Sequence, residues 1–145
     1  MDTVCIGHKR VGENHPCLIM VDVGVNHNNN IDIGMRLVEE SAKNVADVVK
    51  FQTYKAKAIT TKTAPRYWND RLNSDQGGSQ YDTFSKLDGM SIAGYKRLKQ
   101  RAQELGIIFS STPFNLPDVD VLEAIGMDMY KVSSSDITYH ELRFA

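Results

Sequence analysis

Two lysines, a glutamine and several hydroxyl residues lie where a small anionic molecule would need them. Lys50 and Gln52 fall within the apolar run 48–53, and Lys131 falls within 129–133 with Ser134 directly behind it. Asp22 ends the apolar run 17–23, and Thr112 follows the run 107–111. Side chains alternate faces on an extended chain, so Lys50 and Gln52 point the same way. Ser110 likewise shares a face with Thr112, and Leu18 and Met20 share one with Asp22. A single lysine in an apolar strand can snorkel to the edge. Two of them read as buried cations that need anionic partners, because an unpaired buried ammonium is costly. Asp22 is one candidate partner, and a phosphate or carboxylate ligand is another. Hydroxyls beside the lysines would complete an anion cradle.

The elements that must hold these groups can be read from the same runs. Residues 17–23, 48–53, 107–111 and 129–133 read as four strands, and the near-continuous apolar character of the first two predicts burial on both faces, as in a parallel sheet. Between them, Ile31, Met35, Val38 and Ala42 give one apolar stripe on a helix over 31–44. Ser91 reads as the N-cap of a second helix, with Ile92, Tyr95, Leu98, Ala102 and Leu105 on its buried face and Gly106 as its stop. Val119, Leu122 and Ile125 mark a third, closed by Gly126. Strand and helix alternate, which predicts an α/β fold with a parallel sheet and right-handed crossovers. In each strand the apolar residues come first and the polar ones cluster at the C-terminal end, the end at which parallel α/β proteins build their sites.

Residues 1–16 read as an N-terminal hairpin turning around 9–12, and 140–145 as the first turn of a helix. The stretch 54–90 is a long connection of the kind that forms a lid, a binding loop or a small subdomain. A short helix is expected over 79–87, with Tyr81 and Phe84 on one side. The first part of 54–90 carries Lys55, Lys57, Lys62, Arg66 and Arg71 against Asp70, which is either an anion-attracting patch or an ordinary solvated face. His27, directly after the first strand, reads equally as a site residue or as a loop histidine that caps the following helix. His8, His15, His27 and His140 have no spacing typical of a metal site. Neither glycine-rich phosphate-loop pattern nor a G-x-S-x-G elbow occurs.

Composition narrows the classes. At 145 residues with 41% hydrophobic and 24% charged residues, the chain has material for a globular core. A formal net charge of -1 gives no bulk attraction to nucleic acid or anionic membrane. Cys5 and Cys17 are too few to staple the fold and fit a reducing, cytoplasmic setting. No run is long enough to span a bilayer, and a signal-peptide layout is missing. A complete eight-stranded barrel typically needs roughly 250 residues.

Four segments in order resemble the sialic acid synthase family. Val21-Asp22-Val23-Gly24-Val25-Asn26-His27-Asn28 is similar to its A-E-I-G-x-N-H-N signature, and Val49-Lys50-Phe51-Gln52-Thr53 to its K-F-Q-T strand. Ser111-Thr112-Pro113-Phe114 resembles its S-T-P-F segment, and Tyr130-Lys131-Val132-Ser133-Ser134 its Y-K-I-x-S strand. The resemblance implies that residues 1–145 are the N-terminal half of a (β/α) TIM-type barrel, a half-barrel with the first four strands and with 54–90 as an insertion loop. The implied activity is condensation of phosphoenolpyruvate with N-acetylmannosamine or a related amino-sugar, giving a nine-carbon 2-keto acid and phosphate. Lys50, Thr112, Lys131 and Ser134 fall where the family holds phosphoenolpyruvate, and Gln52 falls near the reacting centre. Asp22 takes the place of an acceptor-contacting glutamate, one methylene shorter. Asn29 stands where the family usually has glycine, and Val45 replaces the glycine that ends the first helix. The family uses Mn²⁺ or Mg²⁺, whose histidine ligands are expected beyond this chain, and its full-length members are expected to be homodimers. By itself the chain is then expected to be inactive. The alternative is a non-catalytic half-barrel that binds an anionic ligand or assembles with a complementary half.

Overall fold

A computed structural model describes residues 3–68, 78–143 and 145; Asp70, Arg71 and Gly77 of the long connection lie outside them. The alternating runs form one parallel sheet of β3 (Met20–Gly24), β4 (Val48–Thr53) and β5 (Ile108–Pro113), in that order. It is preceded by an antiparallel hairpin, β1 (Val4–Ile6) with β2 (Lys9–Val11). The hairpin turns at Gly7 and His8, ahead of the 9–12 where the sequence pattern places it. Gly7, at φ 53°, supplies the positive φ that a two-residue hairpin loop requires. The Gly7 backbone packs beside Ile108, and Lys9 pairs with Asp47 at 2.7 Å, so the hairpin sits at the N-terminal end of the sheet.

Helices cover one face of the sheet. α1 (Ile31–Lys43) starts at Asn30, whose side chain accepts from the Asp32 and Ile33 amides. α4 (Ile92–Glu104) starts at the expected Ser91, and α5 (Leu116–Glu123) starts at Asn115. Val38, Leu98, Ala102 and Leu122 from these helices are buried against Val49, Phe51 and Phe109. The Phe51 and Phe109 rings stack at 5.2 Å. Burying each such large side chain stabilises the fold by about 1.5–3 kcal/mol. α1 and α4 approach closely because α1 carries Gly34, where an added Cβ would lie 3.0 Å from Leu98. Arg101 braces the same two helices through Glu39 at 2.8 Å.

Two strand expectations need correction. β4 is buried on both faces, but β3 is not: Met20 is 36% exposed and Ile19, just before the strand, 47%. β3 is the edge of the described sheet, and helices cover only one of its faces. The fourth run, 129–133, is not a strand and makes a single parallel bridge, Ser111 to Tyr130. Its Met129 carbonyl is taken by the Ser110 hydroxyl, and Ser133 caps a 3-10 helix over Ser134–Asp136 that pulls the chain away from the sheet. The long connection contains α2 (Ala56–Ile59) and α3 (Gln80–Ser85), the latter opened by a reciprocal Ser79–Asp82 cap. α6 (His140–Arg143) is the short turn expected near 140. Among the described residues no helix is long and apolar enough to cross a membrane.

Candidate functional site

Parallel pairing sets the site's first relationship. The register places Asp22 beside Lys50 and Lys50 beside Ser110, then Gln52 beside Thr112. These side chains project from the face opposite the helices, at the C-terminal end of the sheet. Lys50 Nζ lies 2.8 Å from Asp22 Oδ1, so the buried ammonium has its carboxylate within the chain. One strand along, β3 bulges between Asp22 and Gly24, and Gly24 takes φ 54°. The hydroxyl of Thr112 is buried and bonds to nothing among the described residues. On the same face of the sheet as the buried Lys50, such an orphaned donor is a ready contact for an anionic oxygen.

Past the strand ends a pocket of about 820 Å³ opens, and Gln52 and Ser134 both line it. Its walls include Tyr54, Phe84 and Phe114, with Asp136 contributing a polar edge. Tyr54 meets Phe84 and Phe114 edge-on at 5.9 and 5.8 Å, and Trp68 backs Phe84 at 5.7 Å. Burial pushes the Tyr54 phenol well above its usual range, so this wall stays neutral. Sequence reasoning did not single out the aromatic wall as part of the site. The available signal was position, since Tyr54 and Phe114 each follow directly on a strand.

Lys131 departs from the expectation of two buried lysines. It is exposed and makes no ion pair among the described residues; its segment holds to β5 by the Lys131 amide on the Ser111 carbonyl at 3.3 Å and the Ser110 hydroxyl on the Met129 carbonyl, with no continuous strand pairing. Ser134 is exposed as well, at the start of the 3-10 helix. Of the residues singled out from sequence, Asp22 and Lys50 are thus bonded, and Gln52 and Ser134 share the pocket. Thr112 sits across from Gln52, and Lys131 stands open to solvent.

His27 resolves toward the loop. It is fully buried, and its Nδ1 accepts the Asn29 amide at 3.1 Å while its ring packs on Phe51. Nε2 therefore carries the proton, and burial lowers its pKa. It orders the β3–α1 loop from the helix side of the sheet. The basic stretch also reads as solvated surface: Lys57 and Lys62 are exposed, Lys55 donates to the Asp88 carbonyl at 2.5 Å, and none of the three lines the pocket. Among the described residues no three His, Cys, Asp or Glu side chains are grouped to hold a metal ion.

Comparisons with known proteins identify the family and the fold. The sequence profile of the NeuB family matches residues 37–143. N,N'-diacetyllegionaminic acid synthase of Legionella pneumophila is 33% identical over 132 residues, covering 91% of this chain and 37% of that protein. The Campylobacter jejuni enzyme of the same name is 38% identical over 124 residues, covering 83% of this chain and 36% of that protein. The crystal structure of N-acetylneuraminic acid synthetase from Leptospira borgpetersenii, in complex with citrate, matches with a TM-score of 0.77 and 26% identity. That match covers 97% of this chain and 44% of the Leptospira chain. The chain therefore spans well under half the length of these relatives, on a partial barrel of the same α/β type.

Proposed function

The chain belongs to the NeuB family, and we propose that it supplies the N-terminal half of a synthase barrel condensing phosphoenolpyruvate with an N-acetylated amino-sugar. The observation that carries this reading is the buried Lys50 held by Asp22 beside the orphaned Thr112 hydroxyl, on the same rim as an open pocket. In the proposed reaction the methylene carbon of phosphoenolpyruvate forms a bond to the aldehyde carbon of the open-chain sugar. Water adds at the former enol carbon and phosphate leaves, giving a 2-keto acid. The Lys50 ammonium and the Thr112 hydroxyl meet the oxygens of phosphoenolpyruvate, with the exposed Lys131 and Ser134 closing over it. Fixed cations and donors aimed at developing oxyanion charge stabilise such a transition state most effectively in a water-poor site. Gln52 orients the reacting carbonyl, and Asp22 has a dual part, balancing Lys50 and offering its other oxygen to an acceptor hydroxyl.

The acceptor lies in the pocket walled by Tyr54, Phe84 and Phe114. Apolar aromatic faces suit the ring-less carbon chain and acyl methyl of an amino-sugar. The divalent metal that the family resemblance implies does not fit the described residues alone. Turnover, soluble cytoplasmic location and a homodimer are proposed for the complete barrel.

Calorimetric titration of the chain with phosphoenolpyruvate tests the reading. Saturable binding that disappears in Lys50→Met is the expected result. Equal binding by the wild type and that variant would overturn it.

A further inference from the structure

Asn29 lies in the β3–α1 loop at φ 58°, and its side chain reaches a turn roughly sixty residues further along. Its Nδ2 donates to the Lys86 carbonyl at 2.5 Å, and its Oδ1 accepts the Gly89 amide at 3.0 Å. Both ends of one carboxamide are thus used on one turn. The fit is tight at position 89: an added Cβ would lie 3.0 Å from Asn29 Nδ2 and 3.3 Å from its Cγ, so the Asn29 side chain would have to give by a few tenths of an ångström. Gly89 does not have positive φ, so close approach rather than backbone conformation is what favours glycine there.

The same turn is held from the β4 side. Lys55 donates to the Asp88 carbonyl, and Asp88 Oδ2 accepts the Ala56 amide at 2.8 Å. Phe84 and Leu87, which wall the pocket, therefore lie on a segment suspended between two anchors, one of them a single asparagine. A glycine at position 29 would keep the backbone φ and make neither bond.

We propose that Asn29 and Gly89 form a latch that sets the position of the pocket wall bearing Phe84 and Leu87, with Asn29 a positioning residue for the occupant of that pocket. That this occupant is an amino-sugar rests on the function proposed above; the latch does not. Two neutral hydrogen bonds are enough to hold a surface turn without governing the global fold.

Asn29→Gly tests the latch without backbone strain. Amide exchange across residues 84–89 is expected to accelerate roughly tenfold or more, while exchange in β4 and β5 stays unchanged. Trp68, the sole tryptophan, packs on Phe84, so its emission should shift toward longer wavelength. Gly89→Ala should produce the same emission change in the wild type and no additional change in Asn29→Gly. Unchanged exchange and emission in Asn29→Gly would overturn the latch, as would an equal Gly89→Ala effect in both backgrounds. With N-acetylmannosamine as probe, Asn29→Gly should weaken binding while leaving the phosphoenolpyruvate affinity alone. If the wild type binds neither N-acetylmannosamine nor phosphoenolpyruvate, the functional reading fails, and exchange and emission still decide the latch.

Discussion

Lys50 and Asp22 form an ion pair whose two members differ sharply in exposure: at 2.8 Å separation, the lysine side chain is 5% exposed and the aspartate 63%. The cation is captive and the anion is its link to solvent. Removing the anion strands a buried charge, whereas removing the cation leaves an accessible carboxylate. Asp22→Asn is therefore expected to cost about 1–3 kcal/mol in urea unfolding, and Lys50→Met to change stability by less than about 1 kcal/mol. Equal losses in the two variants would contradict this asymmetry.

Thr112 and Ser111 should respond in opposite ways to losing a hydroxyl. The Thr112 hydroxyl is buried without a partner, while Ser111 shares a buried 2.8 Å hydrogen bond with Thr53. Thr112→Val is expected to hold or raise stability, by up to about 1 kcal/mol, while weakening phosphoenolpyruvate binding roughly tenfold. Ser111→Ala should destabilise by about 1 kcal/mol. Thermal unfolding of both variants, with a phosphoenolpyruvate titration of the first, checks the pair.

Val45 stands at φ 58° and is 82% exposed, just past the end of α1. Asn44 makes the cap, its side chain donating to the Glu40 carbonyl at 2.8 Å. A β-branched residue pays for left-handed backbone and gains no packing here. Val45→Gly is expected to stabilise by about 1 kcal/mol, raising Tm by roughly 3 °C. A lowered Tm would show that the left-handed conformation carries no strain.

Two buried groups give stability opposite dependences on pH. Burial pushes the Asp118 carboxyl from 3.8 up to about 6. The folded chain therefore binds more protons there between about pH 4 and 6, and the contribution is lost as pH rises through about 6. Burial lowers the pKa of His27 below its usual 6.5. Its contribution is present above pH 6.5 and lost as pH falls below that value. Asp118→Asn keeps an acceptor for the Phe114 and Asn115 amides. Its stability relative to wild type should rise between pH 4 and 7, by no more than roughly 3 kcal/mol. A flat difference across that range would sink the assignment.

Local pattern carried much of this molecule. The helix stripe starting at Ile31, the cap at Ser91 and the apolar run of β4 follow from residue types within a few positions of one another. The same is true of the order in which Asp22, Lys50, Gln52 and Thr112 arrive at the ends of their strands. Such features depend on backbone periodicity and capping, which act over one or two turns.

What only the tertiary structure decided involves partners far apart in sequence. Alternation identifies which side chains share a face, but not whether that face is covered. Lys50 is buried because β4 lies between two strands, and Lys131 is open because its segment keeps one bridge to β5. Alternation also left open whether Asp22 reaches Lys50; strand register sets the two side by side. The aromatic wall and the fit of Asn29 against Gly89 arise where a long connection folds back on a loop roughly sixty residues away. Burial and pairing at that range depend on which surfaces meet, and residue spacing does not encode that.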